Sequence, residues 1–175
     1  MTHILSFPMP AFDDFSLKDT LPSVISTILF LLQMIYGFFI AKNSTIVFLE
    51  YSGVAVFILS GIFGIAPVIM FPKKGGVGKG KSFVYTTKVV DSGIYAIMRH
   101  PQYSSFMLWA IAAMLLFQNI IVIILGLPIL ILIYHDMMNE DKRNIKKFGE
   151  SYKQYMKRVP RVNFLLGIYR HYLKK

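Results

Sequence analysis

Apolar residues fill four stretches of the chain almost completely, and short polar segments punctuate them. Val24 to Ala41 follows Leu21-Pro22-Ser23 and is long enough to cross a bilayer at about 1.5 Å of rise per residue. Lys42-Asn43-Ser44 reads as the turn after it. Ile46 to Phe71 exceeds what a span needs, so it is expected to tilt or to kink near Gly61, Gly64 or Pro67. The same small residues equally suit close packing against a neighbouring helix. Ser104 to Phe117 and Ile120 to Tyr134 are separated only by Gln118-Asn119 and read as a tight helical hairpin. A single helix through both would leave Gln118-Asn119 unpaired in mid-bilayer, with Pro128 as a further interruption. Beyond Tyr134 the pattern changes. Ile145, Phe148, Tyr152, Tyr155 or Met156, and Val159 recur at helical spacing while Lys142, Lys146, Lys153 and Lys157 take another face. This predicts a basic amphipathic helix over 142–159, lying along the membrane surface.

Composition supports the same class. With 175 residues, 55% of them hydrophobic and 16% charged, the chain reads as a small polytopic membrane protein, all-α with about four transmembrane helices. It is expected to form one membrane-embedded unit, with residues 1–72 supplying an N-terminal segment and two spans and 73–175 a catalytic half. The stretch to Thr20 carries no secretory cleavage pattern and is expected to be irregular or interfacial. Of 19 Lys and Arg residues, six lie in 72–102 and eleven in 135–175. Four spans put both basic segments on one side, which the positive-inside rule makes cytosolic, along with both termini. The net charge of +10 is thereby assigned to membrane headgroups, and no nucleic-acid partner is expected. Cysteine is absent, which excludes disulfides, thiolate metal sites and a cysteine nucleophile. Four scattered histidines are too few for a membrane di-iron oxygenase.

Chemistry concentrates in two places. In Gly93-Ile94-Tyr95-Ala96-Ile97-Met98-Arg99-His100-Pro101-Gln102-Tyr103, Pro101 lacks an amide proton and drives His100 out of the helical region. The break exposes backbone polar groups beside the bilayer, and a small-molecule pocket is the expected outlet for them. The second place is Glu140-Asp141, where the last span emerges among positive charges. A carboxylate there pairs either with a cation of its own helix or with a ligand's ammonium or hydroxyl groups. His135, Asp136 and Glu140 lack a second histidine, and no metal site is assigned. Residues 75–82 satisfy the phosphate-loop pattern G-x-x-x-x-G-K-[ST], but a span and Phe71-Pro72 stand where the preceding strand belongs. They are read as a basic loop.

Taken together, Val89-Val90, Gly93-x-Tyr95-x-x-x-Arg99-His100-Pro101-x-Tyr103, the apolar hairpin, Glu140-Asp141, Phe148-Gly149-x-x-Tyr152-x-x-Tyr155 and Val159-Pro160-Arg161 resemble the isoprenylcysteine carboxyl methyltransferase family and its phospholipid methyltransferase relatives. The resemblance covers about residues 85–162. The first two spans match only in being hydrophobic. It implies an integral membrane methyltransferase that takes S-adenosylmethionine from the cytosol and a lipophilic acceptor from the bilayer: a prenylcysteine-like carboxylate, a thiol or a phospholipid amine. Val89, Val90, Tyr95, His100 and Glu140 match the family's cofactor-contacting positions, with the pocket formed by the Arg-His-Pro turn and the C-terminal helix. Glu140 would hold a polar end of the cofactor, and Tyr95 would pack its adenosine. Asp136 matches the acceptor position, where carboxyl-methylating members carry arginine, and an aspartate repels a carboxylate. Asp141 stands for a more usual Glu, and Thr87 for the His of some members.

Displacement at a sulfonium methyl needs alignment more than proton transfer, so no dedicated base is assigned. An amine acceptor would make Glu140 or Asp141 the candidate base. Two other readings remain: an NADPH-dependent reductase of the sterol-reductase type, which shares the Arg-His-Pro-x-Tyr turn, and a non-enzymatic lipid-binding membrane protein.

Overall fold

The computed structural model describes residues 17–41, 46–76 and 86–173. The segment before Leu17, the turn at 42–45 and most of the phosphate-loop-like stretch, from Val77 on, lie outside the described residues. Helices α1 (Leu17–Phe39), α2 (Val47–Lys74), α3 (Pro101–Phe117), α4 (Ile120–Phe148), α5 (Glu150–Arg158) and α6 (Phe164–Ile168) follow in order, with a 3₁₀ turn at Gly93–Ala96 and a π-helical turn at Tyr169–Leu173. Among the described residues α1, α2 and α4 are long and apolar enough to cross a membrane. The 17 residues of α3 reach about 26 Å, close to the ~30 Å hydrocarbon thickness. The protein is an all-α membrane protein.

α2 lies along α3 and α1 along α4, with the α3–α4 hairpin between them. Small residues allow the α2–α3 approach. A Cβ on Gly53 would meet Leu116 at 2.8 Å and one on Gly64 would meet Ser105 at the same distance, while Gly61 faces open space. Ser105 Oγ donates to the Ser60 carbonyl at 2.8 Å. Close packing thus accounts for Gly53 and Gly64, and α2 runs unbroken through Gly61, Gly64 and Pro67. Buried Gln33 of α1 donates to the carbonyls of Ala110 and Val122 at 3.3 and 3.1 Å, joining three helices through one side chain. Such polar contacts hold helices together where lipid offers no hydrophobic drive. Outward-facing residues such as Phe39, Phe48, Val68 and Ile131 are largely exposed, as a lipid-facing surface requires.

The hairpin forms at the expected residues. Gln118 adopts a left-handed conformation (φ 44°), and the Asn119 side chain accepts the Ile121 amide at 2.9 Å to cap α4. The Gln118 carboxamide accepts from the Ile46 amide and donates to its carbonyl, at 2.9 and 3.1 Å. The α3–α4 turn and the start of α2 therefore share one end of the bundle.

Two boundaries differ from the sequence reading. α1 begins at Leu17 and carries Pro22 inside it, so residues 17–20 are helical rather than irregular. Pro22 sits near the helix start, where few intrahelical bonds are lost. The amphipathic stretch is not one helix over 142–159. α4 continues for 29 residues to Phe148, because no glycine or proline stops it after Pro128, and the break falls at Gly149 with φ 60° and ψ −132°. That conformation suits only glycine.

Candidate active site

The 86–100 segment crosses the end of the bundle opposite the Gln118 turn, held at each step by the chain around it. The Thr87 amide donates to the Gly75 carbonyl at 3.0 Å, and Lys74 Nζ to Ser92 Oγ at 2.9 Å. Gly93 turns with φ 63°, against the Met70 side chain. Tyr155 of α5 donates its hydroxyl to the Tyr95 carbonyl at 2.7 Å. Pro101 opens α3, and His100 before it is non-helical (φ −123°, ψ 60°), as the Pro rule requires.

The outlet for the broken backbone differs from the expectation. The Arg99 and His100 amides donate to the carbonyls of Pro160 and Arg161, at 3.0 and 3.3 Å. The C-terminal loop itself satisfies these groups, and no ligand is needed for them. Helical periodicity could not reveal this pairing, because its two sides lie about sixty residues apart.

Asp141 is the centre of the polar cluster. It accepts from His100 Nε2 at 2.8 Å, Tyr152 Oη at 2.7 Å and Arg161 Nε at 2.9 Å, with Arg99 Nη2 at 3.4 Å. Its side chain is only 4% exposed. Arg161 also reaches the Tyr134 hydroxyl at 2.8 Å. Burial first, and then the hydrogen bond to Asp141, raise the pKa of the Tyr152 phenol, which serves as a neutral donor. Around this cluster Tyr152, Tyr155 and Val159 are buried against Val89, Ile145, Phe148 and Met156. The apolar face of 142–159 therefore packs on the protein rather than on the membrane surface, because the 86–100 segment covers it.

Glu140, the next residue back, turns away from this cluster. Its carboxylate accepts from Arg143 Nη2 at 2.6 Å and from Asn144 Nδ2 at 3.1 Å, and its side chain is 31% exposed. Tyr103 of α3 lies close enough to feel the charges of Glu140, Arg143 and Asp136. Lys147, two turns along α4 and within reach of Glu140's charge, donates to Thr86 Oγ1 at 3.4 Å. Asp136 is buried and accepts from Ser23 Oγ of α1 at 2.8 Å.

Beside these residues lies a cavity of about 560 Å³, with Thr87, Val89, Lys147, Phe148 and Tyr155 in its lining. Of the five residues assigned to the cofactor, Val89 lines it, Val90, Tyr95 and His100 are buried, and Glu140 shares the α4 face that leads to Lys147. Sequence reasoning gave no role to Ser23 or Gln33, and it counted Tyr152 and Arg161 only among the residues of a helical face or of the family resemblance, not as partners of Asp141. Each is an ordinary polar residue whose partner lies eleven or more positions away in the chain. No group of three or more His, Cys, Asp or Glu side chains able to hold a metal occurs among the described residues.

An all-α membrane bundle with a polar, partly open site at one end is the class these features define. The sequence model of the isoprenylcysteine carboxyl methyltransferase (ICMT) family matches residues 81–146. Protein-S-isoprenylcysteine O-methyltransferase B of Arabidopsis thaliana is 28% identical over 110 residues, 56% of each chain. Protein-S-isoprenylcysteine O-methyltransferase of Schizosaccharomyces pombe is 36% identical over 73 residues, 41% of this chain and 31% of that one. Its Rattus norvegicus counterpart is 31% identical over 161 residues, 87% of this chain and 54% of that one. Residues 81–146 and these relatives make the chain similar to the isoprenylcysteine carboxyl methyltransferase family. At 87% of this chain, the rat alignment reaches beyond 85–162 into the first two spans. The chain covers between 31% and 56% of the length of these three relatives. No solved structure matches it.

Proposed function

We propose that this chain is a membrane methyltransferase that uses S-adenosylmethionine as donor and a lipophilic acceptor, with a prenylcysteine-type carboxylate as the class its relatives' names support. The observation that carries the reading is the polar face of α4 within the family-matched segment: Glu140, Arg143 and Asn144 beside Tyr103, leading to Lys147 at Thr86 and the 560 Å³ cavity. Its chemistry fits the donor. The half-buried carboxylate suits an ammonium or ribose hydroxyls, the cations suit a carboxylate, and Val89 and Phe148 offer apolar surface to an adenine. When bound, S-adenosylmethionine supplies an electrophilic methyl group on a sulfonium. The residues of this chain bind, orient and exclude water. Glu140 and Lys147 hold the two ends of the donor, and His100 keeps the Arg-His-Pro turn in place through Asp141. Asp136, buried between α1 and α4 and engaged by Ser23, occupies the matched acceptor position, and the cations of α4 rather than Asp136 would face an acceptor carboxylate. Residues 1–72 and 73–175 act as one unit, with the basic segments and the site on the cytosolic side.

Nothing in the comparisons favours an NADPH-dependent reductase or a non-enzymatic lipid-binding protein. Titration calorimetry on the purified chain is the test. Glu140→Gln is expected to weaken S-adenosylmethionine binding by on the order of tenfold, because a charge-assisted hydrogen bond contributes about 1.5–3 kcal/mol against about 1 for a neutral one. Asp136→Asn should bind within about twofold of the parent, and NADPH should not bind. Parental affinity in Glu140→Gln together with loss in Asp136→Asn would reverse the two assignments.

A further inference from the structure

The site proposed above places no residue in the last described segment. Phe164, the first residue of α6, meets Phe63 of α2 edge-on with ring centroids 5.5 Å apart. Phe63 lies eleven residues before the end of α2 at Lys74, or about 16 Å along the helix. α6 is thus packed beside a span, inside the level of its last turns. Gly167 rests directly on the Ile97 carbonyl, and Val162 packs on the core shared by α3 and α4. The opposite side carries Leu165 and Leu173, 66% and 72% exposed, together with Ile168, Tyr169 and Tyr172.

Next to this apolar face is a cavity of about 480 Å³ lined by Asp91, Ala96, Lys157, Arg158, Val159, Arg170 and His171. Asp91 is the one carboxylate among its described lining residues and pairs with Arg158 at 3.2 Å, which leaves Lys157 and Arg170 as a cationic excess. We propose that this cavity binds the phosphate of an anionic phospholipid whose acyl chains lie over the exposed face of residues 165–173. The charge of the lining complements a phosphodiester. The apolar face adjoins the lipid-facing spans, and two exposed tyrosines stand where interfacial aromatics anchor. This gives 164–173 the membrane-surface role that the sequence pattern had assigned to 142–159.

Native mass spectrometry of the full chain in detergent, titrated with phosphatidylglycerol and with phosphatidylcholine, tests the assignment. The parent is expected to prefer phosphatidylglycerol by on the order of tenfold, given the contribution of each basic residue near an anionic surface. The double variant Arg170→Gln/His171→Gln, and separately Lys157→Gln, should bring it close to the phosphatidylcholine level. Lys146→Gln, exposed on α4 and outside the cavity, should leave the preference intact. If the variants fold poorly, salt replaces them: raising ionic strength from about 0.1 to 1 M should remove the preference in the parent. An unchanged preference in the variants, or under salt, overturns the proposal. Competition by millimolar inorganic phosphate as effective as that by the lipid also overturns it, in favour of a free-phosphate site.

Discussion

Glu140 and Asp141 are neighbours in the chain but project about 100° apart around α4, and this separates their tasks. Asp141 points into the protein, where it is the common acceptor for His100, Tyr152 and Arg161, with Arg99 close by. Removing its charge would leave two arginines without their buried counter-ion. Asp141→Asn is therefore expected to destabilise the protein by about 3–5 kcal/mol. Asp141→Glu keeps the charge but adds a methylene to a packed site, for a smaller loss of about 1–3 kcal/mol. Reversible unfolding in mixed micelles measures both, and a change below about 1 kcal/mol for Asp141→Asn would show that the cluster does not depend on it. The pair was visible in the sequence as two acids among cations. Which of them faced inward was not, because the partners at 99, 100, 152 and 161 come from three separate stretches of chain.

Among elements, the C-terminal third shows most clearly where pattern stops short. Periodicity identified the apolar positions Ile145, Phe148, Tyr152, Tyr155 and Val159, and all of them join one cluster. It did not reveal that Gly149 divides them between two helices, or that the cluster packs on Val89 rather than lipid. A helical wheel reports which face is apolar, never what covers it. Gly149→Ala should cost about 1–3 kcal/mol through backbone strain alone, since a Cβ there meets nothing within 4 Å. Thermal melts read this against Glu150→Ala as an exposed control. Gly167→Ala acts differently, because its Cβ would collide with the Ile97 backbone carbonyl. The expected result is release of α6 from the turn, seen as faster proteolysis after residue 160 in a protein whose spans remain helical. Unchanged proteolysis would mean that α6 is not seated on Ile97.

For the whole molecule, the charge pattern and the packing agree on two ends. The Gln118 carboxamide ties the α3–α4 turn to Ile46, while the basic segments meet at the opposite end through Asp91, Arg158 and the Asp141 cluster. The chain has no cysteine, so single-cysteine variants label without background. In sealed membrane vesicles of known orientation, Asn119→Cys and Ser151→Cys are expected to react with an impermeant maleimide from opposite faces, and both from one face only after permeabilisation. Equal labelling of the two from one side would overturn the even number of crossings.

By itself the sequence determined the apolar runs, the hairpin at Gln118-Asn119, the break before Pro101 and the resemblance to the methyltransferase family. Each of these rests on local physics: transfer of side chains into lipid, the missing amide of proline, or a short string of residues at set spacing. Tertiary structure alone decided that Gln33 joins three helices, that Pro160 and Arg161 close the backbone at Arg99 and His100, and that Asp141 rather than Glu140 is buried. These contacts join residues twenty to ninety positions apart. Hydrogen-bond partners of that kind depend on how the helices are placed against one another, which no local pattern records.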